Sequence, residues 1–181
     1  MTMSKNANTY QSTLSYYMEE ISKLEESVLI GQQLAYYGNP MSKTVLNVPT
    51  HKIIETPVFE EVQMGMSLGL AMNGMFVVTF YPRWDFLILS LNQLINHIDK
   101  YKVMTNSEIH IIIRVGKGSD TPLDPGYQHK GNYFNQVKDM SIDVNFMDCL
   151  SIADIKRNYE RAIENKGVYL INEYPSLYLS C

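Results

Sequence analysis

Two cysteines, Cys149 and Cys181, are all that 181 residues contain, and they do not form a Cys-x-x-Cys pair. This excludes a disulfide framework and a cysteine-built zinc site, and it suits a reducing compartment. Charge is sparse as well: 19% of the residues are Asp, Glu, Lys or Arg, and the net charge is -4. No run of lysine or arginine interleaves with aromatics, so the electrostatic footprint of a nucleic-acid binder is missing. Long apolar runs are lacking too. The longest near-continuous one, Phe86 to Leu91, is far short of the roughly 20 residues that span a bilayer. The polar start, Ser4 to Ser12, carries no signal-peptide pattern. These absences predict a cytoplasmic protein with neither nucleic-acid nor membrane partners.

Among what is present, 45% of the residues are hydrophobic, enough for one globular domain with a real core. Helical and strand patterns alternate along the chain. Leu14, Tyr17, Met18, Ile21 and Leu24 mark an amphipathic helix, and Val28 to Gly31 a buried strand. A polar loop spans about 36 to 51. Lys52 to Ile54, Phe76 to Phe80, Ile109 to Val115, Asp143 to Met147 and Val168 to Ile171 read as further strands. Helices are expected over Thr56 to Asn73, Trp84 to Tyr101, and from Ser151 to Asn165, the last opened by a capping-box pattern, Ser151-Ile152-Ala153-Asp154. Strands without polar alternation, each followed by a helix, predict a three-layer α/β fold, a mostly parallel sheet with helices on both faces. In such folds ligands bind at the carboxyl ends of the strands. Attention therefore falls on the loops after Ile54, Phe80 and Val115.

The stretch from Glu55 to Gly74 is the most informative. Thr56-Pro57 reads as a helix start, which puts Glu60 and Glu61 in the first turn, where carboxylates are favoured. Gly65, Gly69 and Gly74 leave one stripe of that helix nearly bare, a surface suited to close packing. The segment Thr56-Pro57-Val58-Phe59-Glu60, followed by Gly65, Gly69, Ala71-Met72 and Gly74, resembles the pyrimidine-binding domain of thiamine-diphosphate enzymes, in particular the N-terminal half of the beta subunit of 2-oxo acid dehydrogenase first components, within the transketolase-like superfamily. The resemblance continues through Phe76 to Tyr81, Asn92-Gln93-Leu94-Ile95-Asn96, Arg114-Val115-Gly116, Gln128-His129 and Gly167 to Glu173.

The resemblance implies a thiamine-diphosphate-binding pyrimidine-domain fold over residues 13–174, with 1–12 disordered and 175–181 a tail. It implies that Glu60 faces the cofactor's aminopyrimidine ring. A carboxyl hydrogen-bonded to ring nitrogen N1′ shares its proton and drives the tautomer in which the cofactor's own amino group serves as the internal base. Val58 matches an apolar residue beside that ring, and Pro82 and Phe86 fall where the family contacts or stacks on it. Plain core packing is the alternative for Phe86. His129 matches a histidine of the active-site channel that assists substrate handling, against the alternative of a solvent-exposed loop histidine. Glu61 is read as an ordinary surface carboxylate. Tyr81-Pro82-Arg83-Trp84-Asp85 departs from the family's usual Phe-Met-Thr-Phe-Asn.

Two other motifs fail on context. Gly65-Met66-Ser67-Leu68-Gly69 fits the hydrolase nucleophile elbow, but Ser67 lies in a helical pattern rather than at a strand end. Gly116-Lys117-Gly118 lacks the continuation of a phosphate loop and reads as a turn. The family holds the diphosphate through Mg2+ in a domain marked by Gly-Asp-Gly, a tripeptide this chain does not contain. The chain is therefore expected to be a stand-alone pyrimidine half with no metal ligands of its own. Thiamine diphosphate is its expected cofactor, with Mg2+ held mainly by a companion chain that bears the Gly-Asp-Gly domain. Homo-oligomerisation and a small 2-oxo acid or ketose substrate are expected as well. The competing reading is a degenerate, non-catalytic interaction module of the same fold.

Overall fold

The computed structural model describes residues 8–36, 38–121 and 123–178. Helix α1 (Tyr10–Ser22) leads into strand β1 (Ser27–Gly31), and strand β2 (Ile53–Glu55) into helix α2 (Glu60–Met72). Strand β3 (Phe76–Tyr81), the short helices α3 (Trp84–Leu87) and α4 (Tyr101–Thr105), and strand β4 (His110–Gly116) follow. Helix α5 (Phe134–Met140), strand β5 (Asn145–Asp148), helix α6 (Ile152–Glu164) and strand β6 (Gly167–Glu173) complete the order.

The six strands form one sheet in the order β2-β1-β3-β4-β6-β5, and every pair is parallel. β3 is buried along its whole length, and β4 and β6 from their second residues onward, as expected for strands covered on both faces. One face packs Leu29, Val78, Phe80, Ile112 and Ile171 against α1 and α6. The other packs Ile30, Val77, Ile111, Ile113 and Leu170 against α2, α3 and the segment after it. The expected three-layer α/β architecture is the one found.

Four expectations need correction. Helix α1 begins at Tyr10, inside the segment expected to be disordered. Thr9 and Ser12 form a reciprocal capping box there, and the buried Tyr10 hydroxyl donates to the Cys149 carbonyl at 2.6 Å. Residues 1–7 of that segment lie outside the described residues. The loop over 36 to 51 contains a 3-10 turn, Pro40–Val45, that buries Met41, Ser42, Thr44 and Val45. Helix α2 starts at Glu60 rather than Thr56. The Thr56 amide continues the β1–β2 pairing by donating to the Gly31 carbonyl at 2.9 Å, and the residue before a proline disfavours helical backbone. Finally, the single helix expected over Trp84 to Tyr101 is broken into α3, a 3-10 turn at Ile88–Ser90 and a π-helical stretch at Asn92–Ile98. The buried Ser90 hydroxyl bonds back to the Leu87 carbonyl at 2.8 Å, and the Asp99 amide reaches five residues back to Leu94 at 2.8 Å.

Past β6 the chain stays packed. Tyr178, in the expected tail, is buried, and its hydroxyl donates to Glu173 Oε2 at 2.6 Å. Helix α6 starts where the Ser151 pattern predicts, but only half of the capping box forms. Ser151 accepts from the Asp154 amide at 3.2 Å, while its hydroxyl donates to the Asp154 carboxylate at 2.8 Å.

Candidate functional site

The carboxyl ends of β1, β2, β3 and β4 open on a cavity of about 310 Å³, lined among others by Gln33, Val58, Glu60, Pro82, Phe86 and Lys117. That volume is at the lower end of small-molecule sites, roughly 300–1,000 Å³. Val58, Glu60, Pro82 and Phe86 come from two of the three loops singled out by the strand pattern, or from the helix starts that follow them, and the third loop contributes Lys117. Their convergence follows from the sheet order, since β1 lies between β2 and β3.

Glu60 is the first residue of α2, whose N-terminus has no capping side chain. It is 6% exposed. A carboxylate in the first turn gains from the unpaired amides there. Its main chain is held from below: the Tyr81 hydroxyl donates to the Glu60 carbonyl at 3.0 Å. One turn on, the fully buried Gln63 donates through Nε2 to Thr79 Oγ1 and to the Phe80 carbonyl, both at 2.9 Å. The Thr56 hydroxyl donates to Gln63 Oε1 at 3.3 Å. Gln63 and Tyr81 therefore lock α2 to the end of β3 beneath Glu60. Val58, by contrast, is 73% exposed and Phe59 56%, so the cavity's wall on this side is open.

Glu61 accepts from Asn92 Nδ2 at 3.3 Å and Gln93 Nε2 at 3.4 Å, a contact between helices rather than a part of the cavity. Ser67 is buried inside α2 and donates to the Gln63 carbonyl at 2.8 Å, so the nucleophile-elbow pattern has no exposed hydroxyl behind it.

Phe86 lines the cavity and also packs against His129, ring centroids 5.3 Å apart at 49°. His129 is in a short 3-10 turn, Tyr127–His129, and is not among the residues lining the cavity. The expected reach of His129 into the site is therefore indirect, through Phe86. Among the described residues, the buried side-chain atoms without a hydrogen-bond partner are His129 Nδ1 and Asp85 Oδ2. Both flank Phe86, and unpaired buried polar atoms mark places where function overrides stability.

Several site residues carry no signal in the sequence. Gln33 lines the cavity with a left-handed backbone, φ 58°, uncommon for a residue with a side chain. The Glu55 carboxylate holds that turn by accepting from the Gln33 and Ala35 amides, the latter at 2.8 Å. Gly38 packs beside it, where a Cβ would sit 2.8 Å from Gln33 Oε1 and displace the end of that side chain. Arg83 and Lys117 also line the cavity. The guanidinium of Arg83 lies 5.8 Å from the centre of the Phe86 ring, and Lys117 Nζ lies 5.7 Å from that of Tyr174.

No group of three or more His, Cys, Asp or Glu side chains is arranged to hold a metal among the described residues. No helix of the described residues is long and apolar enough to cross a membrane.

No protein-family model matches the chain. It is 24% identical over 166 residues to the pyruvate dehydrogenase E1 component subunit beta of Mesostigma viride, covering 88% of this chain and 50% of that protein. The corresponding subunit of Cyanidium caldarium is 23% identical over 175 residues, 93% of this chain and 52% of its own length. A chloroplastic subunit beta-3 of Arabidopsis thaliana is 22% identical over 166 residues, 88% of this chain and 40% of its own. The chain spans about half the length of the curated relatives it matches. Among solved structures, a split-gene transketolase described as an inactive beta4 tetramer superposes with a TM-score of 0.70 at 12% identity, over 92% of this chain and 51% of that one. The chain is thus similar in sequence to pyruvate dehydrogenase E1 beta subunits, and its fold, a six-stranded parallel sheet covered by helices, is that of the split-gene transketolase.

Proposed function

We propose that this chain is the pyrimidine-binding subunit of a split thiamine-diphosphate-dependent enzyme acting on a 2-oxo acid or a ketose, with Glu60 as the group that activates the cofactor's aminopyrimidine. The observation that carries the reading is the burial of Glu60 at the bare N-terminus of α2, facing the same cavity as Val58, Pro82 and Phe86. An acid beside three apolar side chains suits a flat, weakly basic heteroaromatic ring. The chemistry that bound thiamine diphosphate would supply is a carbon acid whose conjugate base, formed when its proton passes to the cofactor's own amino group, adds to a substrate carbonyl. Glu60 would hold a proton against ring nitrogen N1′ and take it back, and the Tyr81 and Gln63 contacts hold the start of α2 from which its carboxyl projects. Phe86, Pro82 and Val58 would orient the ring, and water is kept from the Glu60 carboxyl once the open Val58 wall is covered. His129, packed behind Phe86, is assigned to substrate handling.

The described residues offer no metal-ligating cluster, and a doubly charged tail without its cation carries a large desolvation cost. We assign Mg2+ and the diphosphate to a companion chain carrying Gly-Asp-Gly, with the open Val58 wall closed by that companion or by a second copy. That the similar proteins are named as a subunit beta and as a tetramer supports a chain that works as part of an assembly. The departures at Arg83 and Asp85 favour the second reading, a non-catalytic module that keeps only the fold.

Calorimetric titration of thiamine diphosphate and Mg2+ into this chain, the companion and their mixture separates the readings. Binding that appears only in the mixture, and only with Mg2+, is expected. Micromolar binding to this chain alone would overturn the split site, and no binding by the mixture would favour the module.

A further inference from the structure

Arg83 and Lys117 have no role in the reading above, yet both line its cavity. Their closeness is a product of the sheet. β3 and β4 are parallel neighbours in which Tyr81 pairs with Val115, and each cation stands two residues beyond that pair. The two exits press together: a Cβ on Gly116 would lie 2.4 Å from the Pro82 carbonyl oxygen. The Lys117 amide is fixed to the Glu173 carbonyl at 2.8 Å, while Phe86 and Tyr174 offer their ring faces to the two cations. Contacts of that kind hold a cation by its side without occupying its N–H donors.

Of the acids nearby, Asp85 forms an ion pair with neither cation and keeps one buried oxygen without a partner, and the others are committed elsewhere. Glu55 is taken by the Gln33 and Ala35 amides, and Asp120 and Asp124 both pair with Lys130. Among the described residues, Arg83 and Lys117 form no ion pair and no side-chain hydrogen bond. Two uncompensated cations thus face a cavity whose one acid is Glu60. Ring-stacked cations with free donors are the usual means of capturing a carboxylate or a phosphate.

We propose that Arg83 and Lys117 form an anion-recognition site in this cavity, setting its specificity for a small molecule that carries a carboxylate or phosphate and lies beside the apolar wall of Phe86 and Val58. The proposal rests on the reading of the cavity as the ligand site and adds the residues that select the ligand's charge. Neither cation belongs to the sequence pattern that drew attention to Glu60. Arg83 falls in the segment that departs from it, and Lys117 reads as a turn residue.

The test follows backbone amide shifts of Gly116 to Ser119 in the full chain during titration with pyruvate, inorganic phosphate and the neutral amide of pyruvate. At least one anion is expected to shift them, with Kd about 1–10 mM, while the neutral amide does not. Pyruvate alone would identify a carboxylate, phosphate alone a phosphate ester. The double variant Arg83→Gln, Lys117→Gln is expected to weaken binding at least about tenfold, the scale of a lost charge-assisted contact. Arg83→Lys with Lys117→Arg keeps the charges and should retain binding, which separates charge from a folding defect. Glu60→Gln should bind the anion undiminished, so failure of the cofactor reading and failure of this site give different results. Equal binding by the wild type and the double glutamine variant, binding of the neutral amide as tight as that of the anion, or no anion response would overturn the proposal.

Discussion

The Tyr81 hydroxyl, at the last residue of β3, donates across 3.0 Å to the main-chain carbonyl of Glu60, at the first residue of α2. The phenol is buried, and burial holds it well above its ordinary pKa, so it remains a donor near neutral pH. This contact ties the position of the candidate acid to the end of a central strand. Tyr81→Phe is expected to cost about 0.5–1.5 kcal/mol of stability, the net worth of one hydrogen bond. Urea denaturation of the variant measures it. An unchanged midpoint would mean that Gln63 alone fixes the start of α2.

Glu60→Gln should leave the fold intact, since the amide fills the same volume, but should remove the proton that the proposed chemistry needs. Loss of a positioned acid-base group costs about 10²–10⁴-fold. Exchange of the thiazolium proton in deuterated water, followed by NMR on the assembled enzyme, reports that step directly. An exchange rate equal to that of the wild type would remove Glu60 from the mechanism.

Helix α2 exposes Val62, Met66 and Met72 around two glycines that meet almost nothing. A Cβ on Gly69 would find no atom within 4 Å, and one on Gly65 only the Gln93 side chain, at 3.9 Å. Glycine costs roughly 1 kcal/mol against alanine inside a helix, a cost that close packing with another chain offsets. Gly69→Leu should therefore leave the monomer as stable or more so and weaken association. Sedimentation velocity of both proteins decides it, and equal association would assign the stripe no role in assembly.

Arg114 and Glu173 form a bidentate ion pair at 2.7 and 2.8 Å with both side chains fully buried. Thr44 accepts a third guanidinium bond at 2.9 Å. The Tyr159 and Tyr178 hydroxyls complete the carboxylate at 2.7 and 2.6 Å, and burial raises both phenols well above their usual range. Arg114→Met strands the Glu173 charge and should cost about 3–5 kcal/mol. Replacing both residues together with apolar ones should cost less than the single change. Thermal denaturation of the two variants tests this, and a double variant less stable than the single would contradict it.

Asp99 accepts from the Ser141 hydroxyl at 2.6 Å and from the amides of Ile142, Asp143 and Val144 at 2.8 to 3.1 Å. Burial opposes its ionisation, but the hydrogen bonds from Ser141, Asp143, Ile142 and Val144 outweigh it and lower the carboxyl's pKa. A carboxyl depressed by folding stabilises the native state above its unfolded value of about 3.9 and loses that contribution as pH falls through the folded value. Stability of the wild type should thus drop more steeply below about pH 4 than that of Asp99→Asn. Urea midpoints measured from pH 6 to 3 check the sign, and parallel profiles would rule it out.

The sequence by itself determined the sheet and the place of Glu60. Apolar runs at Phe76 to Phe80 and Ile109 to Val115 and the helical spacing after Glu60 are local patterns, set by which neighbours three, four or two residues away share a face. Tertiary structure decided the rest. That Thr56 joins the sheet depends on Gly31, 25 positions back, and the breaking of the expected Trp84 to Tyr101 helix depends on what packs around Ser90 and Asp99. The pairing of Arg114 with Glu173, 59 residues apart, and the meeting of Arg83 with Lys117 exist only because β4 lies between β3 and β6. Strand order is a non-local choice, made when the chain closes loops and buries both faces of the sheet together, and no window of sequence records it.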